Sequence, residues 1–335
     1  MRNMSIIGKV LGAGVLACTV AASAFAADKV TYQLDWLPGG DKAPIYVCVE
    51  KGFCKEAGLD VTIASGRGST EAITKIATGS SDIGSAGIEA LMAARAKEKV
   101  PVKAVMSIFN KGPHAFFTVK GNGIEKIADV KGKKIATSPF TASNVFLPLV
   151  LADMGMSEKD IKLTKADPGA LGPMLMTGST DAIIAWMTDV ARYTNQANAA
   201  GKQIMVFPWS TQGLNLYSAS LVASEKFLKE RPEVARRFIT AFRKSMEYVK
   251  NNPAGAVEAV VKRVPELTPK NVEGQLKDAM VLMFNEVTEK DGLGAIESKR
   301  LAETWVRVSK SLKLDPAAIK PESIVERSFT PKSGS

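Results

Sequence analysis

The sequence predicts an α/β chain built as two similar lobes, and three observations lead there. Apolar strand patterns alternate with helical ones along the first two thirds of the chain, the signature of a sheet with helices packed on it. One unit occurs twice, as Gly79-Ser80-Ser81-Asp82 and, 99 positions later, as Gly178-Ser179-Thr180-Asp181. Each copy follows a helical stretch and leads into a short apolar strand. Removal of a 27-residue leader leaves 308 residues, more than one ordinary domain of roughly 100–200 residues.

The leader is the first element. Arg2 and Lys9 are cationic, residues 10–20 are apolar, and 21–27 are mostly small, with Ala24-Phe25-Ala26 before Ala27. This is the pattern of a cleavable export signal, with cleavage placing Ala27 or Asp28 first. The apolar run is shorter than the roughly 18–20 residues a spanning helix needs. Lipidation at Cys18 is the alternative reading.

In the body, 30–36 alternates Val30, Tyr32, Leu34 and Trp36 against polar residues, which predicts a strand. A Pro/Gly loop follows at 37–42, then a helix over 44–51 stopped by Gly52. Residues 59–64 read as a strand and 69–77 as a helix capped by Ser69 or Thr70. Strands are expected at 83–85, 102–108 and 134–137, and helices at 90–97 and 170–177. The strand 134–137 leading into 138–144 looks like an echo of 61–64 leading into 66–70. After Ser220 the pattern turns helical, over 225–229, 232–250, 254–263, 270–284 and 298–312. Phe238, Phe242, Ser245 and Val249 there form a packing stripe. These helices are expected to wrap the first lobe. The division is 1–27 leader, 28–116 with 222–327 first lobe, 117–221 second lobe, and 328–335 a flexible tail.

Composition narrows the function classes. The chain is 46% hydrophobic and 23% charged, with a formal charge of +10. Its lysines are scattered, without a basic run or interleaved aromatics, so a solvated surface is expected and no nucleic-acid partner. Cys48 and Cys54 remain after the leader. An exported chain permits a disulfide between them, but helical geometry at Cys48 favours two buried free thiols. One histidine and two thiols at this spacing do not make a metal set, so neither metal nor cofactor is predicted.

Ligands of α/β sheets bind beyond the carboxyl ends of the strands, which here selects the loops 36–43, 65–70, 84–89, 109–114, 138–144 and 186–189. Ser69, Ser85, Ser138, Thr141 and Ser143 bring neutral hydrogen-bonding groups, several near helix starts. Trp36 and Trp186 bring flat apolar faces suited to an aromatic or heterocyclic ligand. Asp41, Arg67, Asn110, His114 and Tyr217 complete the candidate set, with Arg67 as a possible anion clamp. Each also has a plain structural role open to it: cap, core side chain or solvated charge. His114 is the single histidine, no Gly-x-Ser-x-Gly elbow occurs, and no phosphate-binding glycine loop is complete. The residues therefore point away from catalysis.

The ordered pieces Leu34-Asp35-Trp36-Leu37-Pro38, Ile45-Tyr46-Val47, Glu50-Lys51-Gly52-Phe53, Gly58-Leu59-Asp60-Val61 and Ala128-Asp129-Val130-Lys131-Gly132-Lys133, with the two repeated units and Trp186, resemble one family. It comprises periplasmic substrate-binding proteins of ABC importers for nitrate, sulfonates, taurine and thiamine-pyrimidine precursors. The Asp-Trp-x-Pro opening is most similar to the pyrimidine-precursor branch. The resemblance implies a type II two-lobed binding-protein fold with a ligand cleft between the lobes and two hinge crossovers, placed near 116–119 and 217–222. It further implies a periplasmic monomer that hands its ligand to a membrane permease and ATPase. Pyrimidine-branch members carry an Asn- and His-bearing loop where this chain has Gly39-Gly40-Asp41-Lys42. A small anion therefore stays open as the ligand, as does a pyrimidine-synthase-like enzyme on the same fold using His114.

Overall fold

The computed structural model describes Met1 and residues 26–331. Most of the expected leader and the last four residues lie outside the described residues. The strands are β1 (Asp28–Gln33), β2 (Leu59–Ala64), β3 (Ile83–Gly87), β4 (Val102–Ser107), β5 (His114–Val119), β6 (Lys134–Thr137), β7 (Lys162–Lys165), β8 (Ala182–Trp186), β9 (Ile204–Pro208) and β10 (Ala219–Ser224). They form two five-stranded sheets, ordered β2-β1-β3-β10-β4 and β7-β6-β8-β5-β9. In each sheet one strand, β10 or β5, runs antiparallel to both neighbours. The sheets are thus mixed rather than wholly parallel. The central strands β3 and β8 are buried throughout, as expected where helices cover both faces.

The repeated unit proves to be a structural joint. Gly79 and Gly178 end their helices at φ +79° and +77°, a left-handed turn that glycine adopts freely. The Asp82 carboxylate accepts the Thr31 amide at 2.8 Å, and Asp181 accepts the Lys134 amide at 2.7 Å. Each unit therefore pins the strand that follows it to its parallel neighbour, β1 or β6. This register makes β6 the counterpart of β1, so the expected echo between 61–64 and 134–137 is displaced by one strand. The loop after β1, carrying Trp36, is matched by the loop 138–144.

Passages between sheets run through 108–113, from β4 to β5, and through 209–218, from β9 to β10. Of the crossovers expected at 116–119 and 217–222, residues 217–218 lie in the second passage, whereas 116–119 and 219–222 are strand residues of β5 and β10. The strand signal of these apolar runs outweighed their placement as connectors.

Cys48 and Cys54 form a disulfide, with Cα atoms 5.0 Å apart, against the expectation of free thiols. The reason is Gly52: at φ +86° it ends the helix Ala43–Glu50 and turns the chain into the helix Phe53–Glu56. That turn brings Cys54 back beneath Cys48, which a continuous helix would not do.

The five late helices form where expected, at Glu225–Glu230, Pro232–Asn251, Pro253–Arg263, Pro269–Met283 and Ser298–Leu312, joined by a short one at Glu286–Asp291 capped by Asn285. Phe238 and Phe242 stack on Tyr32 of β1, each with ring centroids 5.9 Å away. Full burial of such a ring contributes about 1.5–3 kcal/mol. The last helix does more than wrap the first lobe. Its Ser311 hydroxyl donates to the Val145 carbonyl at 2.6 Å and accepts the Leu149 amide at 3.2 Å. Those groups lie one turn apart on the helix Ser143–Asp153 of the second lobe, beside its internal Pro148, so the hydroxyl splices into a locally opened ladder. Of the expected flexible tail, Phe329 packs against the core with the Arg236 guanidinium 4.4 Å from its ring centroid. An aromatic with a cationic partner in reach is held where composition alone suggested none. Among the described residues no helix is long and apolar enough to cross a membrane.

Candidate functional site: the cleft between the lobes

The loop after β1 enters the cleft as Asp35, Trp36 and the Gly39-Gly40 turn. A Cβ at Gly40 would lie 2.1 Å from the Val272 carbonyl oxygen, so only glycine lets the loop press onto the helix Pro269–Met283. The Gly40 amide donates to Gln275 Oε1 at 3.1 Å. Asp35 Oδ1 accepts the Ser85 hydroxyl at 2.8 Å and the Lys42 ammonium at 2.7 Å. Lys42 also reaches Asp41 at 2.9 Å. Burial acts to lower the Lys42 pKa, but the two carboxylates outweigh it and hold the ammonium above its usual range. Its Nζ lies 5.5 Å from the Trp186 ring centroid, across the cleft.

From the second lobe, the end of β8 delivers Trp186, Thr188 and Asp189. The Asp189 carboxylate accepts from Gln275 Nε2 at 3.3 Å and lies 3.4 Å from Arg192. Burial pushes its pKa up to about 6, with Arg192 opposing. Gln275 thus joins the Gly40 turn of one lobe to Asp189 of the other.

Between these walls lies a small cavity, lined by Asp35, Trp36, Asp41 and Ser69 on one side and Thr141, Ala185, Trp186, Thr188 and Asp189 on the other. Its volume of about 10 Å³ holds roughly one water. Anything larger than water enters only if the lobes part. The indole N–H groups of Trp36 and Trp186 and the Asp35 Oδ2 are buried without a hydrogen-bond partner, and buried polar groups are costly until paired. The lobes also touch at the rim. The Ser138 hydroxyl donates to the Arg67 carbonyl at 2.8 Å, and the Thr70 amide to the Phe140 carbonyl at 3.0 Å.

The structure thus brings five of the twelve candidate residues to the cavity: Trp36, Asp41, Ser69, Thr141 and Trp186. Ser85 stands directly behind, orienting Asp35. The others are placed elsewhere. Arg67 is about half exposed and gives its guanidinium to Glu71 at 2.9 Å, beside the Phe140 ring. Ser138 belongs to the rim contact. His114 is buried, with Nδ1 2.9 Å from the Ser143 hydroxyl and Nε2 3.2 Å from Glu89. Asn110 sits in the first passage, bonded to Thr288 and Asn285. The Tyr217 hydroxyl accepts the Glu297 amide at 2.9 Å. Sequence reasoning passed over Asp35, Thr188, Asp189 and Gln275. Asp35 adjoins Trp36, and Thr188 and Asp189 lie in a selected loop, so their signal was position. Gln275 had none, being 235 residues from its partner Gly40.

Two mixed sheets of matching strand order, closed over a cavity at their strand ends, define a periplasmic-binding-protein fold. The chain belongs to the NMT1/THI5-like family, whose model matches residues 40–256. It is 25% identical over 311 residues to a Haemophilus influenzae protein named for thiamine biosynthesis, covering 92% of this chain and 97% of that one. It is 26% identical over 250 residues to a 4-amino-5-hydroxymethyl-2-methylpyrimidine phosphate synthase of Saccharomyces cerevisiae, covering 72% of each. Among solved structures, the alkanesulfonate-binding protein SsuA of Xanthomonas axonopodis matches 90% of this chain and 98% of its own, with a TM-score of 0.70 at 16% identity.

Proposed function

We propose that this chain is the exported, monomeric solute-binding component of an ABC-type importer. It captures a small aromatic or heterocyclic, pyrimidine-like molecule by hinge closure and delivers it to a membrane permease with its ATPase. The carrying observation is the pair Trp36 and Trp186, one from each lobe, both lining the cavity with indole N–H groups unpartnered. Such donors suit the ring nitrogens of a heterocycle, and the indole faces suit its plane. Relatives named for thiamine biosynthesis and pyrimidine synthesis support the same ligand chemistry. The anion reading has less support, because Arg67 is engaged by Glu71 outside the cavity.

The test is a thermal-shift screen on protein refolded to strip bound ligand, using pyrimidines, aromatic acids, sulfonates and nitrate. A pyrimidine at 100 times its dissociation constant stabilises by about 2.7 kcal/mol. Trp36→Ala or Trp186→Ala cuts affinity about tenfold or more, since each removes one stacking face. A shift produced only by sulfonates or nitrate, with both tryptophan variants unaffected, overturns the reading.

The synthase names among the relatives favour an enzyme as the second reading. Its histidine base would be His114, which lies outside the cavity lining, with Nδ1 hydrogen-bonded to Ser143 and Nε2 3.2 Å from Glu89. Loss of pyrimidine turnover in His114→Gln, with folding intact, would support it.

A further inference from the structure

The cleft carries more acid than base. Asp35, Asp41 and Asp189 line the cavity, while Lys42 answers the first two at 2.7 and 2.9 Å and Arg192 answers the third at 3.4 Å. Asp35 works through Oδ1 alone, leaving its buried Oδ2 without a partner. The Trp186 face already receives one ammonium, from Lys42 at 5.5 Å, so its geometry suits a cation. A buried surplus of negative charge is costly unless a positive charge joins it.

We propose that the cleft selects a ligand bearing a protonated amine, whose charge is received by Asp189 and the free Oδ2 of Asp35 beside the Trp186 face. This inference rests on the heterocycle-binding reading and adds the ligand's charge. The indole N–H groups of Trp36 and Trp186 are left to ring nitrogens, and the carboxylates to the amine.

The titration of Asp189 agrees in direction. Arg192 and Tyr193 from the helix that follows it, Asp41 and Lys42 from the facing loop, and Gln275 from the helix Pro269–Met283 face it. Burial pushes its pKa up to about 6, whereas a solvated aspartate titrates near 4. Closing on an uncharged ligand below pH 6 therefore draws a proton onto Asp189. Closing on an ammonium does not. Acid narrows the preference for the amine.

The experiment is titration calorimetry on the mature protein at pH 7.5 and 5.0 with two isosteric probes. They are 5-aminomethyl-2-methylpyrimidine and its 5-hydroxymethyl counterpart, whose ring stays uncharged at both pH values. The amine is expected to bind at least tenfold tighter at pH 7.5, with the ratio shrinking several-fold at pH 5.0. In Asp189→Asn the ratio falls toward one at pH 7.5, and a melting curve reports whether that variant folds; the pH comparison on the unaltered protein stands without it. Equal or tighter binding of the alcohol at pH 7.5 overturns the charge inference and leaves the heterocycle reading intact. Failure of both probes to bind overturns the two together.

Discussion

Asp189 shows how one buried carboxylate links the cleft to stability. Its folded pKa is raised to about 6, so the folded state favours the protonated form. The penalty is absent below the unfolded value near 4, grows as pH rises through 4 to 6, and is full above that. Asp189→Asn removes it, and the melting temperature of the ligand-free protein should rise at pH 7.5 and hardly change at pH 4. Two pKa units set an upper limit of about 3 kcal/mol. A fall in melting temperature at pH 7.5 would mean that the Arg192 contact outweighs the burial. At this scale the sequence was legible where position alone suffices: Trp36 and Trp186 sit where strands end. Arg67 misled because its neighbours looked like a ligand loop, although Glu71, four residues on, was the sign of an i,i+4 partner.

Elements were legible wherever periodicity was strong. The late helices follow their 3.6-residue stripes to within a residue or two, because their packing faces are long and continuous. The disulfide was not, since it depends on how sharply Gly52 turns the chain and not on the spacing of the thiols. Closing so short a loop stabilises by about 2 kcal/mol in the chain-entropy model. Reduction of the folded protein, or Cys48→Ala with Cys54→Ala, is expected to lower the unfolding free energy by about that amount in denaturant titration. An unchanged midpoint would show that the contacts of the two helices already fix the turn. The short helix at Glu286–Asp291 was missed because six residues hold too little periodicity to register.

For the whole molecule, the two-lobed plan followed from length, alternation and the repeated Gly-Ser-x-Asp joint, but the closeness of the lobes did not. Gly68 is where that closeness is decided. Its φ is +156°, and a Cβ there would lie 2.2 Å from the backbone carbonyl of Phe140 in the opposite lobe. Gly68→Ala strains its own loop slightly and blocks the contact across the cleft. Small-angle scattering is expected to show a larger radius of gyration for the variant, with weaker ligand binding. An unaltered radius and affinity would place the control of closure elsewhere.

The placement of β10 has a consequence for how the molecule comes into being. The second sheet is drawn from one unbroken stretch, β5 to β9, whereas β10 is inserted between β3 and β4, with Ala219 pairing Gly87 and Ser224 pairing Val102. During synthesis, which presents the N-terminal end first, β3 and β4 must wait with unpaired edges while the entire second lobe emerges. The lobe that starts first therefore finishes last. Its open edges are exposed to wrong partners for as long as the chain between them takes to appear, and loop closure over that span slows its completion.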